Sequence, residues 1–280
     1  MIFCAGLGTR LKPLTDTMPK ALVPLAGKPL LQWQVEKLRD AGITDIIVNV
    51  HHFPDQIIDA VRANNGWGCN ITISDERDQL LDTGGGLKKA LHITHHTSHI
   101  THHTSHITHQ DPILACNVDI LSNIDLRALI EYYQSPETKL IAPLRQRISN
   151  HQSPMSLLVV SERETQRYLC FDEQDALCGW TNIATGEVKG RDGRHLAFSG
   201  MQILSPEVLA LLAQMPEDKF SLIDFYLQII NHPYGDSRSE ESAISNLKAF
   251  IPNAYKMMDV GKIDQIAEAE AFAESLSCKK

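Results

Sequence analysis

Apolar and polar residues alternate along the first half of the chain in a pattern that predicts repeated strand–helix–strand units. Short apolar runs predict buried strands over residues 1–5, 45–50, 70–74 and 112–117. Between them, apolar residues at helical spacing predict helices from about Pro29 to Gly42, over residues 54–64 and from Gly85 to residue 91. Strands that alternate with helices favour an α/β fold with a largely parallel sheet.

The second half of the chain has a different pattern, in which strand-like segments follow one another closely. They span residues 157–160, 167–171, 176–180 and 196–204, with turn residues such as Gly186 and Gly193 between them. This arrangement predicts an antiparallel or mixed extension of the sheet. Apolar residues at helical spacing predict two further helices, over residues 222–230 and 266–276. We therefore expect an α/β three-layer sandwich with a mixed, mainly parallel sheet, in a single domain over residues 1–280.

The composition is that of an ordinary soluble protein, with 280 residues of which 43% are hydrophobic and 21% are charged. It excludes a disordered chain and a fibre, and no apolar run approaches the ~18 residues that a membrane-spanning helix needs. The chain has 26 Lys and Arg residues against 34 Asp and Glu residues, a net charge of −8. This balance argues against a broad attraction to nucleic acid or to an anionic membrane. The N-terminus lacks the basic leader of a secretory signal, so we expect a cytoplasmic protein.

The six cysteines are scattered without a C-x-x-C pair, and several lie inside apolar runs. This distribution predicts small buried hydrophobic residues rather than a disulfide framework or a zinc site.

Eight of the 13 histidines lie in one repeat over residues 92–109, which reads HITHHTS twice and then HITH. One interpretation is a metal site, and with it a histidine-rich metal-binding protein. We favour the other interpretation, an insertion in a mobile surface loop. Identical side chains in every repeat do not present distinct ordered ligands, and Thr and Ser at this density disfavour a helix. Removal of the repeat is therefore expected to leave the chemistry intact.

The segment after the first predicted strand, Gly6-Leu7-Gly8-Thr9-Arg10, begins like a dinucleotide-binding fingerprint. Leu11 stands where the third glycine belongs, and no Walker sequence occurs, so both of these phosphate-binding motifs are excluded. What remains is a glycine-rich turn whose backbone N–H groups can face an anion, with Arg10, Lys12 and Lys20 close by in sequence. This combination suits a triphosphate.

The motif continues as T-x-x-x-P-K over residues 15–20 and as Gly-Lys-Pro over residues 27–29. Later motifs are D-T-G-G-G at residues 82–86, N-V-D at residues 117–119 and D-V-G at residues 259–261. In this order, they resemble the motifs of the nucleoside-triphosphate sugar-1-phosphate nucleotidyltransferases over essentially the whole chain. The resemblance implies the Rossmann-like nucleotide-diphospho-sugar transferase fold. The D-T-G-G-G form is similar to that of enzymes acting on muramate, mannose or heptose phosphates.

The reaction implied by this resemblance is the Mg²⁺-dependent transfer of a nucleotidyl group from a nucleoside triphosphate to a sugar 1-phosphate, with release of pyrophosphate. The acceptor would be a hexose, muramate or heptose 1-phosphate, and the group a uridylyl or guanylyl group. Residues 1–125 would form the nucleotide-binding half and residues 126–280 the sugar-binding half. The reaction brings two anions together, so fixed cations must offset their repulsion.

The same resemblance assigns roles to individual residues. Arg10 and Lys20 would be catalytic, while Asp119 and Asp259 would bind Mg²⁺, since each follows a predicted strand and carboxylate oxygens suit this cation. The residues implied for nucleotide binding are Ala5, Gly6, Gly8, Thr9, Gly84, Gly85 and Asn117. Asn182 and Gly200 would contact the sugar.

Two other functions remain open beside this one and the histidine-rich metal protein. A catalytically silent paralogue could bind a nucleotide sugar as a regulatory subunit, but it would be expected to lose Arg10, Lys20 or one of the aspartates, and all are present. A related enzyme could transfer a cytidylyl group to phosphocholine, with the same phosphate loop and a different acceptor pocket.

Overall fold

A mixed sheet forms the centre of the computed structural model, which describes residues 1–93, 111–135, 156–231 and 247–277. The strands of this part of the chain are β1 (Ile2–Phe3), β2 (Pro24–Leu25), β3 (Lys28–Pro29), β4 (Asp45–Val50), β5 (Asn70–Asp75), β6 (Ile113–Asn117), β7 (Ile120–Ser122), β8 (Ser156–Ser161), β9 (Arg167–Phe171), β10 (Leu177–Asn182), β11 (Glu187–Gly190), β12 (Arg194–Leu204), β13 (Leu247–Phe250) and β14 (Met257–Asp259). The α-helices are α1 (Leu30–Asp40), α2 (Pro54–Ala63), α3 (Asp82–Ile93), α4 (Leu126–Gln134), α5 (Pro206–Ala213), α6 (Leu222–Asn231) and α7 (Ile266–Ser277).

The main sheet has the strand order β11-β10-β9-β12-β6-β1-β4-β5, and β8 pairs with both β12 and β13. Strands β6, β1, β4 and β5 are parallel to one another, as the strand–helix alternation of the first half predicts. Strands β9 to β12 are antiparallel, as the closely spaced segments of the second half predict. The antiparallel extension is joined to the parallel strands by β12, which pairs with β9 near its start and with β6 near its end.

Two clusters of buried apolar side chains lie on opposite sides of this sheet. On β4, Ile46 and Val48 belong to one cluster and Ile47 to the other. Helix α1 adds Leu31 to the first cluster, and α3 adds Leu87 to the second. Because successive residues of a strand point to opposite faces, helices cover both faces of the sheet. The predicted α/β fold with three layers and a mixed sheet is confirmed.

Several element boundaries differ from those predicted. Strand β1 has two residues rather than five, because the backbone N–H of Cys4 donates to the side-chain Oδ1 of Asn49, at 2.7 Å, instead of extending the ladder. Helix α3 begins at Asp82, three residues before the predicted start, and ends at Ile93. Its last two residues are therefore the first two of the histidine repeat, His92 and Ile93. The rest of the repeat, residues 94–109, lies outside the described residues.

Two helices that the hydrophobic periodicity does not predict, α4 and α5, begin at N-cap residues. Asp125 accepts hydrogen bonds from the backbone N–H groups of Arg127 and Ala128 at the start of α4. Ser205 caps α5 by accepting from the N–H of Val208, and Pro206 occupies the first turn. Such capping residues were available in the sequence as a signal.

Five cysteines lie in the described residues, and all five are buried and free, as predicted. Among the described residues, no helix has both the length and the apolar character needed to cross a bilayer.

Candidate active site

A cavity of about 260 Å³ opens at the carboxyl ends of β1 and β6. Ligands of open α/β sheets bind at this edge, because the loops that follow parallel strands meet there. The lining residues are Phe3, Cys4, Gly6, Gly8, Thr9, Arg10, Lys20, Thr83, Asn117, Val118, Asp119 and Gly261. The structure therefore brings the predicted phosphate loop together with Lys20, Asn117 and Asp119. Ala5 is buried and is not among the lining residues, so its contact with the nucleotide stays a prediction.

The phosphate loop folds back on the segment that carries Lys20. Gly8 has a left-handed backbone, with φ of +64°, and its carbonyl accepts hydrogen bonds from Thr15 Oγ1 at 2.8 Å and from the N–H of Leu11 at 2.9 Å. A Cβ at this position would lie 2.9 Å from Thr15 Cγ2 and 3.0 Å from Lys20 Cβ. Both the backbone conformation and the close packing therefore require glycine at position 8.

Two cations and two carboxylates from four separate segments form two ion pairs here, in which Arg10, Lys20 and Asp119 line the cavity and Asp259 is the partner of Arg10. Lys20 Nζ donates to Asp119 Oδ2, and the two side chains are only 10% and 17% exposed. Arg10 Nη2 lies 3.7 Å from Asp259 Oδ2, in a pair that is about half exposed. The two pairs are adjacent, because the N–H of Val260 donates to the carbonyl of Asp119 at 2.8 Å. This arrangement matches the requirements for phosphoryl chemistry, with fixed positive charge beside oxygen donors.

Comparison with known proteins identifies the family. The model of the nucleotidyl transferase family matches residues 1–275. The chain belongs to this family. It is 30% identical to an N-acetylmuramate alpha-1-phosphate uridylyltransferase of Caulobacter vibrioides over 234 residues. This aligned region covers 82% of this chain and 83% of the relative. It is also 32% identical over 136 residues to mannose-1-phosphate guanyltransferase 2 of Candida glabrata, over 48% of this chain and 34% of that protein.

Solved structures agree on the fold of this nucleotidyltransferase. HddC from Yersinia pseudotuberculosis in complex with GMP-PN superposes with a TM-score of 0.64 at 23% identity, over 97% of both chains. A putative glucose-1-phosphate thymidylyltransferase from Bacillus anthracis superposes with a TM-score of 0.70 at 14% identity, over 97% of this chain and 93% of the other.

The relatives confirm the predicted class of enzyme. Both curated relatives are sugar-1-phosphate nucleotidyltransferases by name, which favours this acceptor class over phosphocholine. The silent paralogue is also disfavoured, since Arg10, Lys20, Asp119 and Asp259 are all present and lie together.

The carboxylates of the nucleotidyltransferase fit the implied Mg²⁺. Burial raises the pKa of Asp259, and the nearby charge of Asp119 raises it further, against the opposing effects of Lys20 and Arg10. A cation between such carboxylates would relieve their repulsion, and Mg²⁺ prefers oxygen ligands. Gly261 contributes space, because a Cβ there would lie 2.6 Å from Asp259 Oδ1 and 2.8 Å from Arg10 Nη2.

Gly84 and Gly85 make their close contacts with protein rather than with the cavity. Both backbone N–H groups donate to the carbonyl of Phe220, at 2.9 and 3.2 Å. A Cβ at Gly84 would overlap the Phe220 ring, and a Cβ at Gly85 would overlap the carbonyl oxygen of Asp218. Thr83 is the member of this motif that lines the cavity. A contact of the two glycines with the nucleotide stays a prediction, and their packing role is a finding that the motif did not indicate.

The packing role of Gly85 gives a testable expectation for stability. Gly85→Ala should destabilise the fold by about 1–3 kcal/mol or more, because the added methyl group meets rigid backbone. Gly6→Ala is a matched control, since its Cβ would have no neighbour within 4 Å. Denaturant unfolding of both variants measures the difference. Equal unfolding free energies for Gly85→Ala and the unmodified protein would contradict the packing role.

The two residues predicted to contact the sugar lie in different surroundings. Gly200 is left-handed, with φ of +65°, and a Cβ there would lie 2.8 Å from Asn117 Nδ2, so it borders the first cavity. Asn182 is the last residue of β10, and its Oδ1 accepts from the N–H of Ala184 in the turn to β11, at 3.1 Å. Asn182 is not among the residues that line the first cavity, and its contact with the sugar stays a prediction.

A second cavity, of about 420 Å³, lies in the half of the chain that is predicted to bind the sugar. Its lining includes three cations, three aromatic residues and one carboxylate, namely Arg163, Arg167, Lys189, Tyr168, Trp180, Phe198 and Asp224. Arg163 Nη2 donates to the carbonyl of Phe198 at 3.0 Å, and its charge is close enough to lower the pKa of Asp259. Five of these residues lie on β9 to β12, Arg163 follows β8 and Asp224 lies on α6, so the cavity depends on contacts between distant segments.

Asn49 and Glu76 form a buried polar network behind the phosphate loop. Asn49 Oδ1 accepts from the N–H of Cys4, and its Nδ2 donates to Glu76 Oε1 at 2.8 Å. Burial raises the pKa of Glu76, whose other oxygen faces the N–H of Leu81 at 3.4 Å. The network therefore ties the strand end at Cys4 to the segment that precedes the Gly84 motif. Asn49 interrupts an apolar strand, which was a usable sequence signal.

Proposed function

We propose that this nucleotidyltransferase transfers a uridylyl group from UTP to N-acetylmuramate 1-phosphate, forming a nucleotide sugar and pyrophosphate. The observation that carries the proposal is the similarity to the Caulobacter vibrioides uridylyltransferase over 82% of this chain and 83% of that protein. The match to the Candida glabrata guanyltransferase covers about half of this chain. We expect the reaction in the cytoplasm, as a step of nucleotide-sugar synthesis for cell-envelope polysaccharide.

The charge of the second cavity supports this choice of acceptor. N-acetylmuramate carries a carboxylate on its lactyl group, whereas mannose carries none. Arg163, Arg167 and Lys189 present positive charge to the cavity. The Nζ of Lys189 lies 3.7 Å from Asp224 Oδ1 and 5.4 Å from the centre of the Trp180 ring. Arginine binds carboxylates and phosphates well, because its planar guanidinium donates two parallel hydrogen bonds. An anionic sugar suits this lining better than a neutral one.

In the proposed reaction, a phosphate oxygen of the acceptor forms a bond to the α-phosphorus, and the bond from that phosphorus to the pyrophosphate oxygen breaks. Lys20 is fixed in place by Asp119, so its ammonium group offsets the charge of the transferring phosphate with little reorganisation. Arg10 and the backbone N–H groups of the phosphate loop hold the departing pyrophosphate. Asp119 and Asp259 would hold Mg²⁺, which when bound supplies positive charge to the phosphate oxygens.

Pyrophosphate release from a matrix of substrates tests the proposal. The matrix combines UTP, GTP, CTP, ATP and dTTP with the 1-phosphates of N-acetylmuramate, mannose and a heptose, and with phosphocholine, in the presence of Mg²⁺. We expect the highest kcat/KM for UTP with N-acetylmuramate 1-phosphate. A preference for GTP with mannose 1-phosphate would overturn the choice of base and sugar, and silence with every pair would overturn the activity itself.

A further inference from the structure

Outside the two cavities, three side chains with different metal-binding atoms meet on the antiparallel extension of the sheet. Cys170 on β9 stands directly opposite His195 on β12. Their neighbours Leu169 and Leu196 are buried in the apolar cluster on one face, so Cys170 and His195 share the other face. Asp192 lies in the turn that leads into β12 and reaches back to both.

The three ligand atoms converge on one point. Asp192 Oδ1 lies 2.7 Å from His195 Nε2 and 3.9 Å from Cys170 Sγ, and one atom from each residue lies within 4.8 Å of the other two. Bond lengths of about 2.0 Å to nitrogen and oxygen and about 2.3 Å to sulfur place neighbouring ligands of tetrahedral zinc about 3.3–3.6 Å apart. The observed separations bracket this range, so small side-chain rotations bring the three atoms to it.

The burial and the ring contacts of these three residues also suit a bound ion. Cys170 is buried at the base of the cluster, while Asp192 and His195 are exposed, which leaves a path from solvent. The Tyr168 ring stacks on the His195 ring, with centroids 5.6 Å apart, and limits its orientation. Thiolate, imidazole and carboxylate are together the ligand set of zinc and its chemical neighbours, whereas Mg²⁺ prefers oxygen alone.

We propose that Cys170, Asp192 and His195 form a second metal site, which binds Zn²⁺ or a divalent ion of similar preference, with water as the fourth ligand. The site joins β9 to β12 and to the turn before β12. It is separate from the pair Asp119 and Asp259. Its thiolate and imidazole ligands suit a borderline-soft ion such as Zn²⁺, whereas the two carboxylates suit a hard ion such as Mg²⁺. The ion would also fix Tyr168, which lines the second cavity, through the stacked imidazole.

Binding of Co²⁺ to the full-length reduced protein tests this site with a specific spectroscopic signal. A thiolate bound to Co²⁺ gives a near-ultraviolet charge-transfer band that imidazoles do not give, so ions held by the histidine repeat do not contribute to it. We expect this band at one Co²⁺ per chain, and we expect Zn²⁺ to remove it by displacement. The measurement needs no nucleotide or sugar, so its outcome is independent of the proposed reaction.

Three variants assign the band to these residues. Cys170→Ser should abolish it, whereas Cys69→Ser should keep it, because Cys69 is an equally free and buried cysteine elsewhere in the fold. His195→Gln keeps the thiol and should weaken Co²⁺ binding at least ~10-fold. Absence of the band from the unmodified protein, its persistence in Cys170→Ser, its loss in Cys69→Ser, or unchanged affinity in His195→Gln would each overturn the proposal.

Discussion

Replacing Lys20 with alanine should lower the turnover number about 10²–10³-fold, the usual effect of removing one preorganised charge from a transition state. The Nζ of Lys20 is mostly buried and is bound to Asp119, so no solvent cation takes over its position cheaply. The change also leaves the carboxylates of Asp119 and Asp259 without their nearest buried counter-charge. Steady-state kinetics with saturating substrates and Mg²⁺ measure the loss, and circular dichroism checks that the fold persists.

Lys28→Ala is the matched control for this experiment. Lys28 is also a paired lysine in the first thirty residues, with its Nζ 2.6 Å from Glu36 Oε2, but it does not line either cavity of the site. Its removal should change turnover less than about twofold, since surface ion pairs contribute little. A Lys20→Ala enzyme with near-normal turnover would contradict the role of this residue in stabilising the transferring phosphate.

Asp119→Asn and Asp259→Asn should both abolish most of the turnover yet shift stability in opposite directions. Each removes a proposed Mg²⁺ ligand, so we expect losses larger than the ~10–100-fold that follows from changes beyond the first coordination shell. Asp119→Asn also leaves Lys20 without its partner and should destabilise the fold. The loss should be smaller than the ~3–5 kcal/mol of a fully buried pair, because these side chains are still 10% and 17% exposed.

The stability gain expected for Asp259→Asn, opposite in sign to the loss for Asp119→Asn, follows from the raised pKa of the Asp259 carboxyl group. A carboxyl group whose pKa is higher in the folded than in the unfolded state binds its proton more tightly when folded. Its contribution to stability is therefore present below the unfolded pKa and is lost as the pH rises through the folded pKa. At neutral pH the aspartate disfavours the metal-free fold, and asparagine removes this effect.

Thermal unfolding at pH 7 with and without Mg²⁺ separates the two aspartates. Without Mg²⁺, the Tm should fall for Asp119→Asn and rise for Asp259→Asn. Mg²⁺ should raise the Tm of the unmodified protein, and this gain should shrink in both variants. A lower Tm for metal-free Asp259→Asn would show that its pairing with Arg10 outweighs the repulsion, contrary to our expectation.

The features that the sequence predicts well are those encoded within short segments. The parallel strands and the helices between them follow from local periodicity, and Gly8, Arg10 and Lys20 follow from one continuous motif. Asp119 and Asp259 lie far apart in sequence, and their meeting at one cavity was implied by the family resemblance rather than by spacing.

The features that the sequence does not predict depend on strand register and on contacts between distant segments. The side chain of Asn182 accepts from the N–H of Ala184 at the end of β10, and Gly85 packs on the carbonyl of Asp218, far along the chain. Cys170 was predicted as a small buried residue and is indeed buried. Its position opposite His195 follows only from the pairing of β9 with β12.

The left-handed turn at Gly200 within β12 has a consequence for how acceptor choice can diverge. Residues of β12 before Gly200 pair with β9, which borders the second cavity, and residues after it pair with β6, which leads to Asp119. The backbone of β12 therefore changes direction at Gly200, between the part that borders the second cavity and the part that borders Asp119. On the proposed assignment of the second cavity to the sugar, we expect substitutions in β9, β10 and β11 to alter which sugar is accepted while Lys20 and Asp119 keep their positions.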